Sequence, residues 1–212
     1  MSSEHKKASA WFEVLYKEKL QNSSNLEDSN DIPWAKMEVN PYLDEYLKNH
    51  LANGKALVVG CGLGDDALAL SEAGFDVTAI DISESAIKWC NQRFDGFGIN
   101  FCVQDVFELP DEMLGQYDFV FESLTVQSLP LALRDKIITA ISSLVAPNGK
   151  ILIIAHGKQD GEKFDGPPWP LTMNELKLFG MKDLTELEFS IFEEQTPISK
   201  FKFRALYSKV SS

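Results

Sequence analysis

Basic residues are in short supply: 20 Lys and Arg stand against 32 Asp and Glu, a formal charge of −12. A chain that neutralises phosphates needs the reverse balance, and no Lys/Arg run reverses it locally, so nucleic acid is not an expected partner. Cysteine is scarce as well. Cys61, Cys90 and Cys102 form no CxxC pair and share no metal-ligand spacing with the three histidines, which reads as reduced thiols in a cytoplasmic protein without a metal centre. Apolar runs are only strand-sized, as at residues 151–155, so no membrane span or membrane partner is expected. The polar, charged first ten residues lack the apolar stretch of a secretory signal. Repeats and low-complexity tracts are missing too.

What the chain does have is 212 residues at 44% hydrophobic content, enough for one well-buried domain. From Lys55 onward, short β-rich runs at 56–60, 76–80, 100–104, 117–121 and 150–155 alternate with helical segments. That alternation predicts an α/β fold with a mostly parallel sheet covered by helices. Ser83 is placed to cap a helix bearing Ile87, Cys90 and Phe94 on one face. Leu133, Ile137, Ile141 and Leu144 form a second stripe, with Pro147-Asn148-Gly149 as its expected stop. Thr172 and Glu175 have capping-box spacing, with Gly180 as the expected helix end. The alternating runs 184–194 and 201–207 predict an antiparallel hairpin at the sheet edge. Residues 1–54 read as a helical extension or lid on a core at 55–212. That extension has an aromatic face at Trp11, Phe12, Leu15 and Tyr16, a polar loop at 21–30, and a helix carrying Leu43, Leu47 and Leu51 closed by Asn53-Gly54.

The sharpest signal is Val58-Val-Gly60-Cys-Gly62-Leu-Gly64-Asp-Asp66, directly after a predicted strand and opening a predicted helix. Glycines there permit a tight turn and close approach of a ligand to the backbone. Asp81 follows 21 residues after Gly60, at the end of the next strand, where an acid can accept both hydroxyls of a ribose. A dinucleotide would set its pyrophosphate on the helix N-terminus, where Asp65 and Asp66 would repel it. The third glycine also comes one residue early for the dinucleotide fingerprint, and no Gly-Lys-Ser/Thr follows. S-adenosylmethionine, with a ribose, an adenine, a sulfonium and no phosphate, fits better than a nicotinamide cofactor, which stays as the alternative.

These residues resemble class I S-adenosylmethionine-dependent methyltransferases over roughly residues 32–207. Ile32-Pro-Trp34, Leu57-Val-Val-Gly-Cys-Gly-Leu-Gly-Asp-Asp66, Phe121-Glu-Ser123 and Gly166-Pro-Pro-Trp169 are similar to phrases of the thiopurine, thiol and halide methyltransferase group. Ala35 stands where members often carry an acid. The resemblance implies a Rossmann-like, doubly wound, seven-stranded sheet and a methyl transfer from S-adenosylmethionine to a small thiol, thiopurine or halide. It further implies that Gly60, Cys61 and Gly62 line the methionine moiety, that Asp81 holds the ribose, and that Ile82, Asp105 and Val106 meet the adenine. Glu122 would take the methionine amino group, and Trp34 would cover the sulfonium by cation–π attraction.

An apolar substrate pocket is expected from Trp11, Phe12, Trp34 and residues 164–169, including Trp169. Gln127 and His156, just past predicted strand ends, are the candidates for polar or catalytic contacts, although a strand-end histidine is more often a satisfied structural group. A catalytically inactive S-adenosylmethionine-binding regulator is the alternative outside enzymes.

Overall fold

Among the described residues, seven strands and six α-helices follow in the order α1 (Ser3–Asn22), α2 (Pro41–Asn49), β1 (Lys55–Val59), α3 (Asp65–Ala73), β2 (Asp76–Asp81), α4 (Glu84–Arg93), β3 (Asn100–Val103), β4 (Tyr117–Ser123), α5 (Arg134–Leu144), β5 (Val145–Gly157), α6 (Met173–Leu176), β6 (Leu184–Glu193) and β7 (Phe201–Lys209). This computed structural model describes residues 3–22, 32, 35, 37–194, 196 and 198–210, with side chains from 10 to 21 in the first segment. Trp34 and most of the polar stretch at 21–30 lie outside the described residues. The chain divides into two compact units, Met1–Asp105 and Val106–Ser212. Strands follow the order β3-β2-β1 in the first unit and β4-β5-β7-β6 in the second. The fold is α/β, as the alternation of runs predicts, and Rossmann-like, as the resemblance implies.

In the first unit β1 pairs in parallel with β2, and β2 with β3. Four of the five β1 residues are buried, the continuous apolar run of a strand covered on both faces. Ser83 caps α4 as expected, its Oγ accepting the Ala86 N–H at 3.0 Å. Ala86, Ile87, Trp89 and Cys90 face inward from that helix. Tyr16, Ile32, Leu63, Ala86 and Trp89 form a buried cluster against which Phe12, Leu20, Ala35 and Met37 pack. The α1 face is thus part of a core, and complete burial of each large apolar side chain contributes about 1.5–3 kcal/mol. Helix α2 is shorter than its apolar spacing suggests. Asn40 caps it through the Tyr42 N–H and Leu43 is buried, but the helix stops at Asn49 where His50 turns extended. Leu51 consequently lies outside the helix, 99% exposed.

In the second unit β4 and β5 run parallel, and β7 is antiparallel to both β5 and β6. The expected hairpin is therefore present, with β6 at the edge. Leu133 of the predicted stripe, also buried, stands at the N-cap of α5, and the helix itself buries Ile137, Ile141 and Leu144 of that stripe together with Ile138. It ends at Leu144, before Pro147, and passes at once into β5. Pro147-Asn148-Gly149 is instead a strand irregularity: the β4–β5 register shifts between Tyr117 and Phe119, and Asn148 has φ +64°. A Cβ at Gly149 would lie 2.8 Å from the Tyr117 carbonyl oxygen, so the strands close at this point only on a glycine. The Thr172 capping box forms, Thr172 N–H donating to Glu175 Oε2 at 2.8 Å and Glu175 N–H to Thr172 Oγ1 at 3.2 Å. The helix it opens is only four residues long, and Gly180 sits in the 3-10 turn Phe179–Met181 that follows.

Candidate functional site

In the first unit the chain leaves β1 through a turn of left-handed glycines, Gly60, Gly62 and Gly64, at φ +65°, +54° and +87°. The turn is tied to the end of β2. The Gly62 N–H donates to Asp81 Oδ2 at 3.0 Å, the Ser83 N–H to Asp81 Oδ1 at 3.0 Å, and the Cys61 N–H to the Ile80 carbonyl at 2.9 Å. Burial pushes the Asp81 carboxyl up, while the N–H groups of Ser83, Gly62 and Ile82 pull it back. Each oxygen keeps further lone-pair capacity after these bonds. An acid held this way presents two fixed acceptors.

The three glycines differ in purpose. A Cβ on Gly64 would stand 2.9 Å from the Phe94 ring and 3.1 Å from Cys90 Sγ and the Phe101 ring, so this glycine serves packing beneath the turn. At Gly62 the nearest obstacle is Tyr16 Oη at 3.1 Å, on α1. Cys90 Sγ donates to the Gly62 carbonyl at 3.2 Å. Hydrogen bonding from Cys90 and burial push the Cys61 thiol well above its ordinary range, so it is no nucleophile at neutral pH.

The two acids opening α3 are not free charges. Asp65 is held by Arg93 through both guanidinium nitrogens, at 2.7 and 3.1 Å, and Arg93 itself is buried. Asp66 accepts the Asn40 N–H at 2.7 Å, and burial raises it to about 6 against that bond. Their expected repulsion of a pyrophosphate is therefore much weaker than the bare sequence suggests.

Glu13 of α1 is a residue that sequence reasoning passed over. Its carboxylate accepts the hydroxyls of Ser83 and Ser85, each at 2.7 Å, and the Ser85 N–H at 3.1 Å. Nothing in the local sequence of α1 marks it; the signal is the pair of hydroxyls in the first turn of α4. Trp11 and Phe12 stack at 4.2 Å between ring centroids, with Trp11 39% exposed. Ile82 is exposed beside Asp81, and Asp105 is half-buried just past β3, its carbonyl accepting from Gln104 Nε2 at 3.0 Å. The Gln104 N–H bonds the Asp81 carbonyl at 2.9 Å, which brings Asp105 to the same end of the strands as Asp81.

Val106, half-buried, opens the second unit. There Glu122 is 1% exposed on β4. Its Oε1 accepts the Val126 N–H at 3.0 Å, and Oε2 has no hydrogen-bond partner among the described residues. Burial pushes this carboxyl up to about 7, against the Val126 and Thr125 N–H groups and the charge of Arg134.

Gln127 is fully buried, its Oε1 accepting the His156 N–H at 2.7 Å and its backbone carbonyl accepting the Trp169 N–H at 2.7 Å. The Trp169 carbonyl accepts from Arg134 Nη2 at 3.2 Å, and Arg134 Nε lies 3.8 Å from Glu175 Oε1. His156 is buried at the end of β5, Nδ1 3.4 Å from Lys202 Nζ. The structure thus joins Gln127, His156 and Trp169 in one network and adds Arg134 and Glu175 to it. Gln127 and Arg134 bond the backbone N–H and carbonyl of Trp169 respectively.

The sequence profile of the family described as Thiopurine S-methyltransferase matches residues 24–205. The thiopurine S-methyltransferase of Legionella pneumophila (strain Corby) is 29% identical over 164 residues, covering 69% of this chain and 74% of that protein. Thiocyanate methyltransferase 1 of Arabidopsis thaliana is 26% identical over 148 residues, covering 67% and 63%. Among solved structures, magnesium protoporphyrin IX methyltransferase from Synechocystis PCC 6803 superposes with a TM-score of 0.73 at 14% identity, covering 99% of this chain and 98% of that one. That likeness is one of fold. The profile match takes in the glycine turn, Asp81, Glu122 and Trp169 in one continuous span, and the chain belongs to the thiopurine S-methyltransferase family.

Proposed function

We propose that this methyltransferase moves the methyl group of S-adenosylmethionine to the sulfur of a small, fairly apolar thiol or thiopurine, with halide-like anions as secondary acceptors. The observation that carries the reading is the clamp of Asp81 on Gly62 and Ser83, at 3.0 Å each. It sets two acceptors at a glycine turn of positive φ, the acceptor pair to which a vicinal diol donates. The residues present fit the cofactor. Asp81 would hold the ribose, Gly60, Cys61 and Gly62 would admit the methionine chain against backbone, and Ile82, Asp105 and Val106 would meet the adenine. In the second unit the buried, unpartnered Glu122 Oε2 fits an ammonium group, which suits the methionine amino end. Trp34 would cover the sulfonium.

When bound, the cofactor supplies a methyl group on a leaving group already activated by positive charge. The chain's own work is alignment and exclusion of water. A thiol acceptor would give up its proton to solvent, so the chain's residues would need to align the sulfur and would not need to supply a strong base. Trp11 and Phe12 in the first unit and Trp169 in the second are the proposed substrate contacts. Gln127 and His156 act by shaping the Trp169 segment. Relatives named for thiopurines, thiols and thiocyanate support a sulfur acceptor, and the family match gives the nicotinamide alternative no support. The free thiols Cys61, Cys90 and Cys102 support a cytoplasmic location. Among the described residues no helix is long and apolar enough to cross a membrane.

Calorimetric titration with S-adenosylhomocysteine tests the cofactor site: Asp81→Ala should lose at least a hundredfold in affinity, and unchanged affinity would refute the assignment. Formation of S-adenosylhomocysteine against a panel of thiols, thiopurines, halides and phenols tests the acceptor. Turnover confined to phenols would overturn the sulfur reading.

A further inference from the structure

Two carboxylates, from α1 and from the end of β2, converge on the turn between β2 and α4. Ser83 is shared between them. Its N–H donates to Asp81 Oδ1 at 3.0 Å, while its hydroxyl donates to Glu13 Oε2 at 2.7 Å and accepts the Ala86 N–H at 3.0 Å. Ser85 adds its hydroxyl to Glu13 Oε1 at 2.7 Å and its N–H to Oε2 at 3.1 Å. Glu13 thereby takes three donors in the first turn of α4, where free N–H groups and the helix dipole favour an anion. One turn further along α1, Tyr16 is buried against Leu63, Ala86 and Trp89, and its hydroxyl is the atom nearest to the Cβ position of Gly62. Helix α1 is therefore fixed at two points to the segment that shapes the glycine turn and Asp81.

We propose that Glu13 is a positioning residue for the cofactor: through Ser83 and Ser85 it latches α1 to the turn that orients Asp81, so that the ribose acid and the helix beside it move together. This rests on the S-adenosylmethionine reading of Asp81. Burial works against the Glu13 anion, but the Ser83 and Ser85 donors more than offset it and hold its carboxyl below the ordinary range. The latch is thus charged at neutral pH and carries charge-assisted hydrogen bonds, the stronger kind. Coupling is reciprocal: a latch that favours the Asp81 geometry is itself strengthened when that acid is engaged.

The test measures S-adenosylhomocysteine affinity by calorimetry for wild type, Glu13→Gln, Glu13→Ala and Ser85→Ala, with hydrogen exchange of α1 alongside. Affinity should fall about tenfold in Glu13→Ala and about threefold in Ser85→Ala, with Glu13→Gln between them. Ligand should slow exchange of the α1 amides in wild type and fail to do so in Glu13→Ala. A purely structural contact would lower the thermal midpoint and leave both readouts unmoved. Should Glu13→Ala not fold, Glu13→Gln and Ser85→Ala carry the test. Variants that bind within twofold of a binding wild type overturn the latch and leave the cofactor reading intact. A wild type that does not bind at all overturns both.

Discussion

Glu122 ties the chemistry of the second unit to a measurable pH dependence. Its carboxyl rises from an ordinary 4.5 to about 7 because burial penalises the anion more than Val126, Thr125 and Arg134 support it. A carboxyl held above its unfolded value favours the folded state while protonated. That contribution is complete below about pH 4.5 and is lost as pH rises through about 7, in total about 3 kcal/mol. Glu122→Gln keeps the shape and removes the titration. It also removes a charge partner of Arg134, so its absolute stability is a mixture of effects. The change in the difference between variant and wild type from pH 4.5 to pH 8 isolates the titration, and the variant should gain about 3 kcal/mol relative to wild type across that range. Urea denaturation at closely spaced pH values reads this directly. A functional counterpart follows if Glu122 accepts the ammonium group: at pH 6 the protonated carboxyl must release up to about one proton as ligand binds. Calorimetry in buffers of different ionisation enthalpy counts that proton. Parallel stability curves for wild type and Glu122→Gln would refute the burial argument, and absence of proton release would refute the ammonium contact.

Gly64→Ala should lower stability by about 2–4 kcal/mol, from the φ of +87° and the 2.9 Å approach to Phe94; a thermal shift of under a degree would contradict the packing role. Arg93→Met leaves Asp65 without its partner and should cost about 3 kcal/mol by chemical denaturation. Adding Asp65→Asn to that variant should recover most of the loss, and strict additivity of the two changes would show that the pair is not coupled.

Much of the fold was legible because its signals are local. Ser83 and Thr172 announce helix starts through hydrogen bonds that close within three residues, and both caps form. The glycine turn and Asp81 were legible for a related reason: strand, turn and acid recur at a spacing set by a single βαβ unit. Ends of elements were harder to read. Pro147 suggests a helix stop, yet it sits in a strand irregularity, since what decides the conformation is the close approach of Gly149 to the Tyr117 carbonyl across the β4–β5 pair. Likewise, Leu51 continues an apolar spacing beyond the point at which α2 has ended. Partners distant in sequence were invisible. Glu13 reaches Ser83 and Ser85 across 70 and 72 positions, and Arg134 reaches Trp169 across 35. No periodicity encodes such contacts. The partner of Asp65 was hidden for the same reason, since its charge is met by an arginine 28 residues away.

Asp81 and Glu122 share a property that bears on why they are acids at all. Burial pushes both carboxyls up, so at neutral pH each charge weakens the folded state. At Glu122 an amide of the same shape would keep the acceptor for Val126 and avoid the desolvation, whereas at Asp81 both oxygens accept an N–H and an amide would lose one of the two bonds. Stability alone therefore favours an amide over the acid at position 122. Binding favours the acids: a carboxylate is acceptor-only and can take two hydroxyls or an ammonium, whereas an amide turns one end into a donor that repels them. The unpartnered Glu122 Oε2 makes the case most clearly, since a buried acceptor without a donor has no folding role. On the proposed reading, Glu122 is thus a position where the chain gives up stability that an ammonium group of the ligand would restore. Glu122→Gln should raise the thermal midpoint at pH 8 while lowering affinity for S-adenosylhomocysteine, and a variant that loses both stability and affinity would break this opposition.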